Sequence, residues 1–503
     1  MGLINSVLKF LIEPRITEIH RFMNNPHEVQ YIIFKDLIAQ AKDTEWGTKY
    51  GYESELTIEK YQERVPISSY EQLYPYIERM LKGEQNVLWH SKIEWFSKSS
   101  GTTNDRSKYI PVSYEALDEC HNKCGRDMIS LYMNHFNPDT KVFDGKSLSI
   151  GGTHYPNPFN PDTRVGDVSA IFVQNLPVWA EYSRAPAKEI FLLPKWEEKI
   201  ERMLETCVEE NITSLSGVPT WMVVVLQKLL ERTGKHNIHE IWPNLELFMH
   251  GAVSFVPYKE IFYKMCPNIH YLELYNASEG FFGVQDRKGA DDMLLMLDHG
   301  VFYEFIPLEE LGAENPKAIT LEKVELHKNY AIVISTNAGL WRYLIGDTVR
   351  FTSLKPYRFK ISGRTKHFIN AFGEEVMVEN ADAAIAKACQ ETGATVKDYT
   401  AAPVYMSGSD KGGHEWLIEF EHQPTSLDIF TQILDTTLRQ INSDYDAKRY
   451  QDIALQKPIV HSVKPDTFYN WLKSKNKLGG QHKVPRLANH REYIDEIKKT
   501  IMA

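Results

Sequence analysis

The sequence predicts an α/β protein with a large N-terminal domain of mixed sheets and helices and a small, mobile α+β C-terminal domain. Three observations predict it. The chain has 503 residues, too many for one hydrophobic core. Short apolar segments such as "LELFMHGAVSF" (245–255), "IHYLELYNASEGFFG" (269–283) and "AIVISTNAGLWRYLIGD" (331–347) alternate with helical patterns, as in a partly parallel sheet with crossover helices. "RFKISGRTKHFINAFGEEV" (358–376) then reads as a boundary, with a hinge at Gly363–Lys366. The expected domains are 1–362 and 363–503.

In chain order, residues 1–90 read as helices with polar breaks. Strand character begins near 95, and 114–136 has helical spacing, with Leu117, Met128, Ile129, Tyr132 and Met133 able to share much of one face. "KSLSIGGTHYPNPFNP" (146–161) reads as a strand followed by a Gly/Pro/Asn-rich loop. Residues 196–209 and 220–232 read as helices, the second capped by Gly234. Beyond the boundary come a helix (377–392), strands near 395–406 and 414–421, a long helix (426–448), a strand and a final helix.

Composition excludes some partners. The net charge of -10 argues against a nucleic-acid surface, and no run of 18 uncharged apolar residues supports a membrane span. Met1-Gly2 with Ser6 formally fits a myristoylation pattern, but an amphipathic first helix is the favoured reading. Five scattered cysteines form no CxxC pair, so a reducing, cytoplasmic setting is expected; Cys120 and Cys124 are not expected to bind metal. Oligomeric state is left open.

The chemistry begins at "SKSSGTTNDRSKYIP" (97–111). Ser99, Ser100, Gly101, Thr102 and Thr103 offer hydroxyl and backbone donors, and Gly101 permits close approach of a phosphate. Lys108 adds a movable charge, and a helix N-terminus nearby would add its partial charge. The stretch is neither GxxxxGK[ST] nor GxGxxG, and in isolation a solvated loop is the commoner meaning of such a cluster. In "YNASEGFFG", Glu279 follows a strand and could hold a hard cation such as Mg²⁺. In "WRYLIGD", Asp347 follows a glycine at a strand end, where it could accept from ribose hydroxyls. In "KLGGQHKVPRL", Lys483 lies in a glycine-rich stretch from which it could stabilise developing negative charge. Each has a plainer alternative: a capping glutamate, a turn aspartate, a surface lysine.

In order and spacing, these segments resemble the adenylate-forming enzymes, and most closely the auxin-responsive acyl-acid amido synthetases, from about residue 30 to 490. In that family an SSGTS-x-G-x-x-K motif grips phosphates, a Y-x-x-SE motif meets adenine and magnesium, and a Y-R-x-GD motif meets the ribose. Ser99–Thr103 through Lys108 matches the first, Tyr275-Asn276-Ala277-Ser278-Glu279 the second, and Tyr343 through Asp347 resembles the third. The resemblance implies that Tyr275 and Ser278 meet the nucleotide with Glu279, that Gly251 and Ala252 lie near adenine, that Lys483 is the adenylation lysine, that Arg364 reaches ribose or phosphate, and that Lys366 is the hinge residue. Two departures stand out. Asp105 replaces the second glycine of the first motif. Leu344 replaces the arginine of the third, and the nearest arginine, Arg342, would point to the same side of a strand.

The implied reaction takes ATP and Mg²⁺, a small carboxylic acid, and an amine, expected to be an amino acid. Acyl-AMP forms first and the amide second, with the C-terminal module covering the hydrolysable intermediate. His154, Trp179, Phe255 and Tyr258 are candidates for the acyl pocket; a backbone-bonded loop histidine and ordinary core aromatics are the alternatives. Two other functions remain open at this point: a CoA ligase with a thiol acceptor, and a non-catalytic nucleotide-binding protein, which Asp105 favours. A kinase-like phosphotransferase lacks its motifs.

Overall fold

The computed structural model describes residues 14–99, 108–176, 181–252, 255, 258–311, 313, 315–364, 368–369, 374, 376–404, 412–442, 445–446, 449, 455–475, 483–488 and 490–502. The chain forms two compact units. The first comprises Met1–Ala252, Asn268–Ile345 and Val349–Lys360; the second comprises Val253–Pro267, Gly346–Thr348 and Ile361–Ala503. Among the described residues, no helix is long and apolar enough to cross a membrane.

The N-terminal region is helical, and its polar breaks are caps. Pro26 opens the helix Pro26–Ala41, where a missing N–H costs nothing. Thr44 accepts from Gly47 N at 3.0 Å to start Glu45–Tyr50, and Gln72 reaches back to Ser69 N at 2.7 Å to start Tyr70–Leu81. Buried Gln30 is fully used: it donates to Leu297 O and Val301 O, each at 2.9 Å, and accepts from Tyr303 N at 2.9 Å. That ties the helix Pro26–Ala41 to the sheet interior, where Phe34, Tyr61, Phe302 and Trp341 are buried.

The strands, in chain order, are β1 (Trp95–Ser99), β2 (Lys108–Val112), β3 (Lys146–Ser149), β4 (His154–Asn157), β5 (Asn160–Gly166), β6 (Arg184–Ala185), β7 (Ile212–Gly217), β8 (Leu247–Gly251), β9 (His270–Ala277), β10 (Gly280–Val284), β11 (Met293–Leu295), β12 (Val301–Pro307), β13 (Ile319–Thr320), β14 (Asn329–Thr336), β15 (Tyr343–Leu354), β16 (Tyr357–Arg364), β17 (Phe368–Ile369), β18 (Val376–Met377), β19 (Thr395–Val404), β20 (Gly413–His422) and β21 (Ile459–Val463). Among the described residues, a twelve-stranded sheet runs β13-β12-β14-β15-β16-β11-β10-β9-β8-β7-β3-β6. The run β6-β3-β7-β8-β9 is parallel, and the helices Trp196–Cys207 and Pro219–Thr233 make its crossovers. The partly parallel sheet expected from the sequence is therefore present, with Gly234 as a left-handed cap at φ 66°.

A smaller sheet runs β2-β1-β5-β4. The Pro/Asn-rich loop expected after β3 is instead the hairpin β4–β5. β5 pairs in parallel with β1, opposing Trp95 to Arg164, while Pro156 sits on the edge strand β4, where proline removes no needed donor.

In the second unit, β19, β20 and β21 form a sheet with Trp416, Tyr399, Phe430 and Leu434 buried beside it. The helix expected over 426–448 ends at Ile441. Asn442 stops it: its side chain donates to Glu374 O at 3.0 Å and accepts from Tyr445 N at 2.8 Å. The helix Thr467–Ser474 was not foreseen.

One buried charge network locks the first unit. Arg15 donates to Asp127 and, at 2.6 and 2.8 Å, to both oxygens of Asp298; Lys123 lies 3.0 Å from Asp298. His299 Nε2 lies 2.6 Å from Asp127. Asp127, Asp298 and His299 have the composition of a metal site, but the cations balancing them are the protein's own arginine and lysine. Burial opposes ionisation of His299, yet Asp127 outweighs it and raises its pKa to about 9. His121, equally buried with no such partner, is lowered to about 4. Because the folded value of His299 lies above the unfolded 6.5, its stabilisation is full below pH 6.5 and is lost as pH rises through about 9. Asp127 and Asp298 are depressed, so their stabilisation is lost in acid, below their ordinary value of 3.8. Chemical denaturation should therefore show wild type losing up to about 3 kcal/mol between pH 6.5 and 9.5, and His299→Gln losing much less over that window.

Candidate active site

The hydroxyl-rich stretch joins two paired strands. Ser99 ends β1 and Lys108 begins β2, directly opposite each other, so both ends of the stretch are held together. Ser100, Gly101, Thr102, Thr103 and Asp105 lie outside the described residues, as does the Ser99 side chain. The helix that would follow the stretch begins only at Tyr114, capped by Ser113, because β2 intervenes; its N-terminus does not adjoin the stretch in sequence.

Lys108 meets the second and third motifs. Its ammonium lies 3.3 Å from the Tyr343 hydroxyl and stands over the rings of Tyr70 (5.6 Å) and Tyr343 (5.8 Å). Tyr343 in turn donates to Glu279 at 3.4 Å. Burial, reinforced by the Glu279 charge, holds the Tyr343 phenol well above its usual pKa, so it stays a neutral donor between an ammonium and a carboxylate.

Glu279 gets there through a tight turn. Ala277 pairs with Gly280, leaving Ser278 and Glu279 as the two residues joining β9 to β10. Ser278 is 3% exposed and its hydroxyl has no hydrogen-bond partner among the described residues. A buried orphan oxygen of this kind asks for a ligand or water. Tyr275, on β9, is buried against Phe282 (5.1 Å) and Phe359 (6.0 Å). Gly251 pairs with Leu274, and a Cβ there would stand 2.5 Å from Leu274 O, so only glycine fits. Ala252 follows at φ 71°, a left-handed conformation that costs a non-glycine residue about 1–2 kcal/mol. Such strain is concentrated at functional positions.

Arg342 is not a nucleotide candidate. It is 4% exposed, and its guanidinium grips Glu304 twice (2.9 and 2.8 Å) and caps Gln62 O and Val65 O (2.9 and 2.7 Å). Every nitrogen is used. Strand alternation does not apply to Arg342, which at φ 42° is the corner before β15 rather than part of it. Asp347 also differs from expectation: it lies within β15, not at a strand end, and is 4% exposed.

Asp347, Arg364, Lys366 and Lys483 belong to the second unit. Arg364 closes β16 with its side chain outside the described residues, and Lys366 and Trp179 lie outside them altogether. Lys483 is exposed at the start of the described run 483–488. His154 is on strand β4, not in a loop, edge-on to Trp95 at 5.2 Å, and burial lowers its pKa. Phe255 packs on Phe262 at 5.4 Å, and Tyr258 is buried, its hydroxyl donating to Lys397 O at 3.0 Å. Tyr343 is a site residue to which the sequence alone assigns no role of its own. It opens the third motif, and a tyrosine heading a strand there is the legible signal.

Solved structures share this architecture. A GH3.15 acyl acid amido synthetase superposes with a TM-score of 0.79 at 15% identity, over 96% of this chain and 95% of that one. A 2-hydroxyisobutyryl-CoA ligase in its postadenylation state superposes with a TM-score of 0.59 at 12% identity, over 94% and 90%. The fold is that of the adenylate-forming enzymes. Within that class the sequence is more specific: the GH3 family N-terminal domain matches residues 15–271, the central domain 294–364 and the C-terminal domain 379–492. The chain belongs to the GH3 family. A full-length relative, the indole-3-acetic acid-amido synthetase GH3.3 of Arabidopsis thaliana, is 22% identical over 96% of this chain and 93% of its own length.

Removing the Arg342 guanidinium leaves Glu304, 1% exposed, as a buried unpaired carboxylate. Arg342→Ala should lower unfolding free energy by about 3–5 kcal/mol in urea titration, whereas a surface change such as Lys328→Ala should move it by less than about 0.5 kcal/mol.

Proposed function

We propose that this chain is an acyl acid amido synthetase that uses ATP to adenylate a small carboxylic acid and passes the acyl group to an amino acid. The observation that carries the reading is the Lys108–Tyr343–Glu279 relay, which joins residues from three separate motifs in a GH3-family chain. A carboxylate and a nucleotide triphosphate repel each other, so the site must supply positive charge and fixed position. Lys108 and the Ser99–Thr103 stretch bind phosphates. Ser278 and Tyr275 bound the nucleotide beside Gly251 and Ala252, and the orphan Ser278 hydroxyl fits a polar ligand there. Asp347 and Arg364 take the ribose. Glu279 would hold Mg²⁺, which neutralises phosphate charge when bound.

The acid's carboxylate oxygen attacks the α-phosphorus, and pyrophosphate leaves with the bridging electron pair. Lys483 stabilises the charge that develops there. The amine nitrogen then attacks the acyl carbon; AMP departs as the acyl–oxygen bond breaks, and the ammonium proton passes to solvent. Gly363–Lys366 is the proposed hinge between domains 1–362 and 363–503. Five free cysteines suit the cytoplasm.

The test is to incubate the protein with ATP, Mg²⁺, panels of aryl and fatty acids and of amino acids, and to record pyrophosphate and product mass. Acid-dependent pyrophosphate and an amide product are expected. Lys483→Ala should cut adenylation by about a hundredfold or more while ATP still binds. A thioester formed only with CoA would make the chain a ligase of the other kind, and no pyrophosphate with any acid would leave a nucleotide-binding protein without this chemistry.

A further inference from the structure

Three residues beyond Lys483 lies a group that the reaction scheme does not use. Arg486 has a side chain 10% exposed, and its guanidinium donates to Asp382 and, at 3.3 Å, to the Tyr258 hydroxyl. It also stacks over the rings of Tyr399 (5.1 Å) and Tyr258 (5.9 Å). Asp382 accepts a further bond from the Tyr399 hydroxyl at 2.6 Å. Two tyrosine faces, one phenol oxygen and one carboxylate therefore surround a single buried cation, all within the second unit.

The backbone around Arg486 is equally constrained. Thr400 donates to Pro485 O at 2.6 Å, Ala401 N to Arg486 O at 2.8 Å, and Ala488 N to Ala401 O at 3.1 Å. Residues 485–488 thus lie along β19, with Leu487 paired in parallel to Ala401. Lys483 is exposed two residues before this fixed run. On the other side, Tyr258 lies six residues past Ala252, and its hydroxyl also donates to Lys397 O at 3.0 Å. The same guanidinium therefore holds the base of the Lys483 segment and the segment that begins at Tyr258.

We propose that Arg486, clasped by Asp382 and Tyr258, is a positioning residue for adenylation: it fixes where the Lys483 segment and the 258–267 segment lie on the second unit. The proposal rests on the adenylation reading for its functional half alone. A guanidinium suits the task, because its planar fork serves two acceptors at once while its faces stack on aromatic rings. A lysine could pair with Asp382 but not reach both partners in that geometry.

The test uses the full chain and three variants: Arg486→Lys, Arg486→Met and Tyr258→Phe. Tyr258→Phe leaves the Arg486–Asp382 pair intact, so it strands no buried charge if Arg486→Met folds poorly. Hydrogen exchange comes first and needs no substrate. In the Arg486 variants the amides of Ala401, Ala488 and the 258–266 segment should lose protection together, and in Tyr258→Phe the 258–266 segment should lose it; unchanged protection at 258–266 overturns the clasp whatever the enzyme does. The second readout is acid-dependent ATP–pyrophosphate exchange against amide formation from a supplied acyl adenylate. Exchange kcat should fall roughly ten- to a hundredfold in Arg486→Met and less in Arg486→Lys, with KM for ATP within about threefold and acyl transfer within about twofold. An equal fall in both half-reactions would mark Arg486 as a general fold stabiliser and overturn the positioning role. If wild type performs no exchange at all, the adenylation reading fails, while the exchange-protection data still decide the clasp.

Discussion

The buried pair of Arg342 and Glu304 is the constraint on which the first unit's site depends. Its guanidinium uses all three nitrogens on Glu304 and on two carbonyls of the segment 62–65, and so holds a left-handed corner in place. The corner decides where β15 begins. Ser68 N donates to Arg342 O and Leu344 N to Ser68 O, each at 2.9 Å, and Tyr343 emerges between them. Only from that start can its hydroxyl stand between Lys108 and Glu279. A residue outside the site therefore sets the geometry of the Lys108–Tyr343–Glu279 relay.

Much of this was legible in the sequence, for identifiable reasons. The motifs are readable because each is local: a glycine among hydroxyl residues, a carboxylate just after a strand, a lysine just past a hydroxyl cluster. Crossover helices were readable from their apolar period and their caps. Failures occurred where a distant partner overrode a local rule. Arg342 looked like a strand residue because sequence spacing cannot report a positive φ. The stretch up to residue 161 reads as a loop because it is rich in Gly, Pro and Asn, but β1 supplies a partner and leaves the proline on an edge. The helix after Ser426 is shorter than its sequence pattern predicts because nothing in the apolar pattern records that Asn442 bonds to Glu374.

Buried ionisable groups follow one pattern across both units. Arg15, Arg342 and Arg486 are each enclosed and each satisfied by carboxylates or oxygen acceptors far away in sequence. Such pairs add little net stability compared with apolar packing, because desolvation offsets their attraction. What they supply is geometry, since a mispaired alternative would strand a charge in a medium that cannot solvate it. His121 and His299 make the same point on neighbouring ground: two buried imidazoles, one held neutral and one held charged, distinguished by a single aspartate.

The dimensions of the large sheet carry a consequence for colloidal behaviour. Its outermost members, β6 and β13, are each two residues long. A ladder that stops after two rungs cannot template a neighbour's backbone, whereas a long, flat margin would. Tapering both borders lets a sheet of this breadth exist without inviting fibrils.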